Sequence, residues 1–155
     1  MGDVRIVWDP TTGTGDLNML PSGALETGHD LETASLISMF TDAQADPGGV
    51  VYGTDPAGVW FDTYSALEDP ALPAIAKDRI GSKLYQAFAR PRTQETLNWL
   101  RDEIIRCHGW MITDGVASAV GATTFFTGPG GIGATVTIIA NGQANVFSYV
   151  WARGS

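Results

Sequence analysis

The chain has 155 residues, 44% of them hydrophobic, and a formal net charge of -8, which suits one domain with a buried core and leaves too little chain for two domains by default. The acidic balance argues against a general affinity for nucleic acid, because that affinity rests on Lys and Arg displacing counterions from phosphate. No apolar run reaches the roughly 18 residues of a membrane span, and with Cys107 as the only cysteine neither an intrachain disulfide nor a multi-cysteine metal site can form.

The N-terminus, Met1-Gly2-Asp3-Val4-Arg5-Ile6, lacks the basic and apolar regions of a signal peptide, and Ile6 breaks the myristoylation pattern. A soluble, non-secreted product of a reducing compartment is the expectation. Charge is unevenly spread. Residues 1–76 hold twelve acids against Arg5 alone, residues 77–106 hold seven Lys/Arg against four acids, and the 38 residues 115–152 carry no Asp, Glu, Lys or Arg.

Val4 to Trp8 reads as a short strand, and Asp9-Pro10 with Gly13 and Gly15 turns the chain into a second one, Asp16 to Leu20, giving an N-terminal hairpin. Pro21-Ser22-Gly23 and Gly28 mark a loop, after which Asp30 opens a helix through Phe40 with Leu36, Ile37 and Phe40 as core contacts. Residues 46–73 are broken by Pro47, Gly48, Gly49, Gly53, Pro56, Gly58, Pro70 and Pro73 and read as a long ordered loop. A helix follows over residues 74–89, with Ile80, Leu84 and Phe88 at helical spacing and Arg90-Pro91 ending it.

Residues 93–120 read as a long amphipathic helix stopped by Asp114-Gly115 and followed at once by a strand. Leu97, Leu100, Ile104, Cys107, His108 and Met111 share one face, and Thr93 is the expected N-cap. Trp99 and Trp110 fall near Glu103 and Arg106 on the opposite side, as a second contact surface. Three strands then form a β-meander: residues 116–126, 134–140 and 145–151, joined through Gly128-Pro129-Gly130-Gly131 and Asn141-Gly142.

The glycine-rich stretch 128–133 has no following Lys-Ser or Lys-Thr and runs into a strand, so it reads as a hairpin connection and not a phosphate loop. Cys107 and His108 are adjacent and not a helical turn apart, and lie on the face expected to be buried, so a core histidine is favoured over a metal or nucleophile site. The loop acids Asp55, Asp62, Glu68 and Asp69 could supply the paired carboxylates of a glycoside hydrolase, against the ordinary reading of a solvated acidic face. The uncharged meander stands out most. Free strand edges are usually guarded by charge, proline or bulges, and the last strand, with Val146, Phe147, Tyr149 and Trp151, is a template for strand addition unless the chain's own N-terminal hairpin covers it.

Three stretches carry a resemblance: Asp30-Leu31-Glu32-Thr33-Ala34-Ser35-Leu36-Ile37-Ser38-Met39-Phe40-Thr41-Asp42, Asp78-Arg79-Ile80-Gly81-Ser82-Lys83-Leu84-Tyr85, and Trp110-Met111-Ile112-Thr113-Asp114-Gly115-Val116-Ala117. In this order they resemble the Mu-like phage tail proteins of the small baseplate-wedge family, whose members include a protein once described as a tail lysozyme. The motif positions matched are Thr41, Asp42, Gly81, Ser82, Asp114 and Gly115. The resemblance implies an α+β fold like the core of a sheath subunit, with helices packed on an antiparallel sheet, in one domain over 1–155. It also implies a non-enzymatic component of a contractile-tail baseplate, made in the host cytoplasm and built into the virion in multiple copies. There it would join other wedge proteins to the first sheath ring by inter-chain sheet extension, without cofactor, metal, nucleic acid or membrane. A peptidoglycan-degrading tail lysozyme using the loop carboxylates is the alternative. Candidate partner-binding residues are Val146, Phe147, Tyr149 and Trp151 on the sheet edge, with Arg79, Lys83, Arg90, Arg92, Trp99 and Trp110 on the helix and the basic segment.

Overall fold

The computed structural model describes residues 3–43 and 81–152; the expected loop 46–73 and the start of the helix expected over 74–89 lie outside them. Strands β1 (Ile6–Asp9) and β2 (Thr14–Leu17) pair antiparallel from Ile6↔Leu17 to Asp9↔Thr14. Helix α1 (Asp30–Phe40), a short 3-10 helix (Leu84–Ala89), α2 (Gln94–Cys107) and α3 (Gly109–Thr113) precede β3 (Ala119–Thr127), β4 (Gly131–Ala140) and β5 (Gln143–Ala152). The last three form an antiparallel sheet in the order β3-β4-β5. This is the expected α+β architecture, with an N-terminal hairpin and a C-terminal meander.

Helix α2 begins where Thr93 accepts a hydrogen bond from the Thr96 N-H and buries Leu100, Ile104 and Cys107. The long helix is not continuous. His108 sits at φ -93, ψ 0 between α2 and the five-residue α3, because its ring turns back to bond the Ile104 carbonyl and Gly109 offers little helix propensity beside it. Met111 remains in the core, and Gly115 at φ +72 ends the run as the Asp114-Gly115 signal indicated.

The 3-10 helix replaces the α-helix expected up to residue 89. Ser82 is held in an extended bridge to Asp42 and Pro91 constrains the other end, which leaves only Leu84–Ala89 between two fixed points. The bridge is a clasp. The Ser82 N-H donates to the Thr41 carbonyl at 2.8 Å, the Ala43 N-H to the Ser82 carbonyl at 2.9 Å, and the Ser82 hydroxyl to the Met39 carbonyl at 2.5 Å. Gly81 takes φ +96, and a Cβ there would run into the Thr41 carbonyl. Glu103, expected on an exposed side of the helix, is instead buried against this clasp. Its carboxylate accepts from the Lys83 N-H at 2.7 Å and from Arg106, whose guanidinium also reaches the Gly81 carbonyl at 3.0 Å.

Helix α1 packs differently from its expected aliphatic face. Leu36 and Met39 are buried, but Ile37 is 45% exposed and the other buried positions of the helix are Thr33, Ser35 and Ser38. The face is set by hydroxyls. Ser38 accepts from the Trp110 indole at 3.0 Å, Thr33 accepts from the Ile6 N-H at 3.2 Å, and Ser35 meets His108 Nε2 at 2.8 Å. Phe40, half-buried at the end of α1, stacks on Trp8 at 3.8 Å and meets Tyr149 and Trp151 edge-on. Each such aromatic pair adds about 0.5–1.5 kcal/mol beyond its buried area.

His108 is fully buried. The Ile104 carbonyl can only accept, so Nδ1 carries the proton at 2.7 Å from it, and Nε2 accepts from the Ser35 hydroxyl. Burial holds the imidazole below its ordinary value. The unfolded chain therefore takes up the proton first, and stability is full above pH about 6.5. It then falls with decreasing pH by up to about 1.4 kcal/mol per unit. Denaturant titrations at pH 7.5 and 5.5 measure this difference, and His108→Asn, which keeps a donor near Ile104 and does not titrate, is expected to remove it.

Candidate functional site

The edge of β5 is built from the turn that precedes it. Asn141 and Gly142 take φ +51 and +74, a two-residue turn whose twist matches the flanking strands. Such a turn makes Ala140 and Gln143 a hydrogen-bonded pair. Counting from it, Gln143, Asn145, Phe147, Tyr149 and Trp151 direct their N-H and C=O groups to β4, whereas Ala144, Val146, Ser148 and Val150 direct theirs outward.

Side chains follow the same alternation. Phe147, Tyr149 and Trp151 stand beside Val136, Ala134 and Ile132 on the helix side of the sheet, and Tyr149 and Trp151 are buried. Burial pushes the Tyr149 phenol up to about 12, so it stays neutral. Val146, Ser148 and Val150 stand on the opposite, exposed face. Of the four residues expected at the sheet edge, Val146 alone offers both its backbone and its side chain outward; Phe147, Tyr149 and Trp151 hold the edge strand to the core. Val150, which sequence also places on this apolar strand, belongs to the outward set, as do Ala144 and Ser148, whose small or polar side chains give no sequence signal of it.

One outward group is occupied. The Trp8 indole N-H donates to the Val150 carbonyl at 2.9 Å, so the N-terminal hairpin caps the end of the edge and does not run along it. Among the described residues, no backbone group pairs with the outward N-H and C=O of Ala144, Val146 and Ser148. Nothing charged stands on the strand or its neighbours β3 and β4, and no proline interrupts β5. At the far side of the sheet, α2 runs beside β3, where the Thr124 hydroxyl donates to the Leu97 carbonyl at 2.8 Å.

The other sequence-derived candidates have internal partners. The Arg90 guanidinium lies 3.7 Å over the Trp99 ring, and Arg92 lies 4.2 Å over Phe126 while donating to the Gly128 and Gly131 carbonyls. Trp110 is tied to Ser38, Lys83 to Glu103 through its backbone, and Asp114 and Gly115 close α3 through N-H bonds to the Trp110 and Ile112 carbonyls. Thr41, Asp42, Gly81 and Ser82 form the clasp, a pairing of two motifs some forty residues apart that no local pattern announces. Arg79 and the loop acids Asp55, Asp62, Glu68 and Asp69 lie outside the described residues. Cys107 is buried, and burial pushes its thiol above its ordinary value; the Ser35–His108 pair is likewise closed to solvent. Among the described residues, no three His, Cys, Asp or Glu side chains are grouped to hold a metal ion, and no helix is long and apolar enough to cross a membrane.

A family model described as Phage protein GP46 matches residues 31–145, from α1 into the start of β5. No curated protein matches the chain.

The parity of β5 is directly measurable. In hydrogen exchange on the isolated chain, the amides of Asn145, Phe147, Tyr149 and Trp151 are expected to exchange at least ~100-fold more slowly than those of Val146 and Ser148. Uniform protection along the strand would mean that the outer edge is covered.

Proposed function

The chain belongs to the GP46 family of phage proteins, and on that premise we propose that it is a non-enzymatic structural component of a contractile-tail baseplate. In this reading it joins inner wedge proteins to the first sheath ring by accepting a strand at the outer edge of β5. The observation that carries the reading is the run from Ala144 to Ser148, whose outward backbone groups have no backbone partner among the described residues and whose strand carries no charge or proline. The motifs at 30–42, 78–85 and 110–117 add the resemblance to the small baseplate-wedge proteins.

An added strand satisfies the outward N-H and C=O groups of Ala144, Val146 and Ser148, each hydrogen bond contributing about 0.5–1.5 kcal/mol net. That is modest for a free pair of chains, since ordering the incoming segment opposes it. In a ring of many copies the same contact becomes effectively intramolecular and therefore strong. The Trp8 cap at Val150 would set where the incoming strand stops. The helices serve as the rigid backing that keeps the edge straight, through Leu100, Ile104 and Met111 beneath the sheet.

Ser148→Pro tests this. Ser148 directs its N-H away from β4, so proline deletes a donor that only an incoming strand would use, and the isolated chain is expected to lose no more than about 1 kcal/mol of stability. Tailed-particle yield in a complementation assay should fall by at least about tenfold. Normal particle yield with Ser148→Pro would refute strand addition at this edge.

A further inference from the structure

Exposed large hydrophobic residues gather on the N-terminal unit. Leu17, Met19, Leu20 and Leu25 are 51%, 63%, 42% and 43% exposed. They are not loose. Met19 is bridged to Leu25, the Leu20 N-H donates to the Ala24 carbonyl and the Gly23 N-H to the Leu20 carbonyl, each at 2.8 Å, with Gly23 at φ +81 closing the turn. Cross-strand opposition puts Met19 and Leu25 on one face, and Leu17, two residues before Met19, shares it. Behind the turn, Arg5 ties Glu26 and Glu32 together at 3.0 and 3.2 Å, and the Glu26 N-H bonds the Asn18 carbonyl at 2.9 Å. A preformed, hydrogen-bonded turn that holds Leu17, Met19 and Leu25 exposed on one face, where turns are ordinarily polar, has the form of a docking element.

We infer that this ridge inserts into an apolar cleft, rimmed by Lys and Arg, on a different protein chain. The rim follows from charge. Residues 3–43 carry Asp3, Asp9, Asp16, Glu26, Asp30, Glu32 and Asp42 against Arg5, and Asp16, next to Leu17, accepts from the Leu17 N-H at 2.8 Å with no cation bridged to it among the described residues. A second copy is a poor occupant, since its own ridge brings the same acids and its described arginines are already engaged at Trp99, Phe126, Asp102 and Glu103. An anionic lipid surface is repelled for the same reason. The ridge precedes residues 31–145 that match the family model, and none of its residues belongs to β5, so the inference stands on different residues from the β5 edge.

The test installs the photoprobe p-benzoylphenylalanine at Met19, and at the exposed helix position Asn98 as a control, in the full chain expressed during phage growth. Irradiation at Met19 should give one protein adduct whose linked peptide is apolar and flanked by Lys or Arg. Asn98 should not give that adduct. Met19→Ser together with Leu25→Ser, with the probe moved to Leu17, should reduce the adduct about tenfold without loss of folded protein. The inference is overturned by the absence of a protein adduct at Met19, by an adduct only to lipid or to a second copy, by a linked peptide with an acidic rim, or by an unchanged adduct in the double variant.

Discussion

The turn at Asn141-Gly142 determines what every residue of the last strand does. Two left-handed residues, the only pair of that kind between β4 and β5, fix Ala140 opposite Gln143. Because side chains in a strand alternate with a period of two, a slip of one residue would turn Tyr149 and Trp151 into solvent and bring Val146 and Val150 to the core. The aromatic contacts of Phe40 with Tyr149 and Trp151 lock the same register from the helix side. Core and edge are thus two consequences of one turn.

The hairpin, α1 and the sheet are held by mixed polar and aromatic contacts. Trp8 stacks on Phe40 and bonds the Val150 carbonyl, while Ser35, Ser38 and Thr33 bind His108, Trp110 and the start of β1. Such contacts are directional and fix orientation, whereas Leu100, Ile104, Met111, Val136 and Ile138 supply the bulk of burial. Glu103, buried against Gly81 and Lys83 with the exposed Arg106 guanidinium on its carboxylate, belongs to the orienting set. Removing Arg106 leaves the Glu103 charge buried with, among the described residues, only the Lys83 N-H to meet it, so this pair makes the clasp obligatory more than it makes it strong.

Much of the fold was legible because periodicity and turn chemistry are local. Asp30–Phe40, the Thr93 cap, the Gly115 stop and the meander all follow from spacing, capping residues and the Asn-Gly pair. What was not legible depends on distant partners. Nothing near Glu103 announces that Lys83 will meet it, and Ile37 reads as core until the hydroxyls beside it find His108 and Trp110. The break at His108 is of the same kind, as the ring's bond to Ile104 outweighs helix continuation. The edge itself was half legible: its lack of charge is visible in sequence, but which residues point outward needed the register.

A structure of the assembled tail, at a resolution that separates strands, tests the central claim most directly. The account predicts a strand from another chain hydrogen-bonded to Ala144, Val146 and Ser148 of β5, ending at Trp8. An edge bordered only by solvent or by this chain's own residues would contradict it.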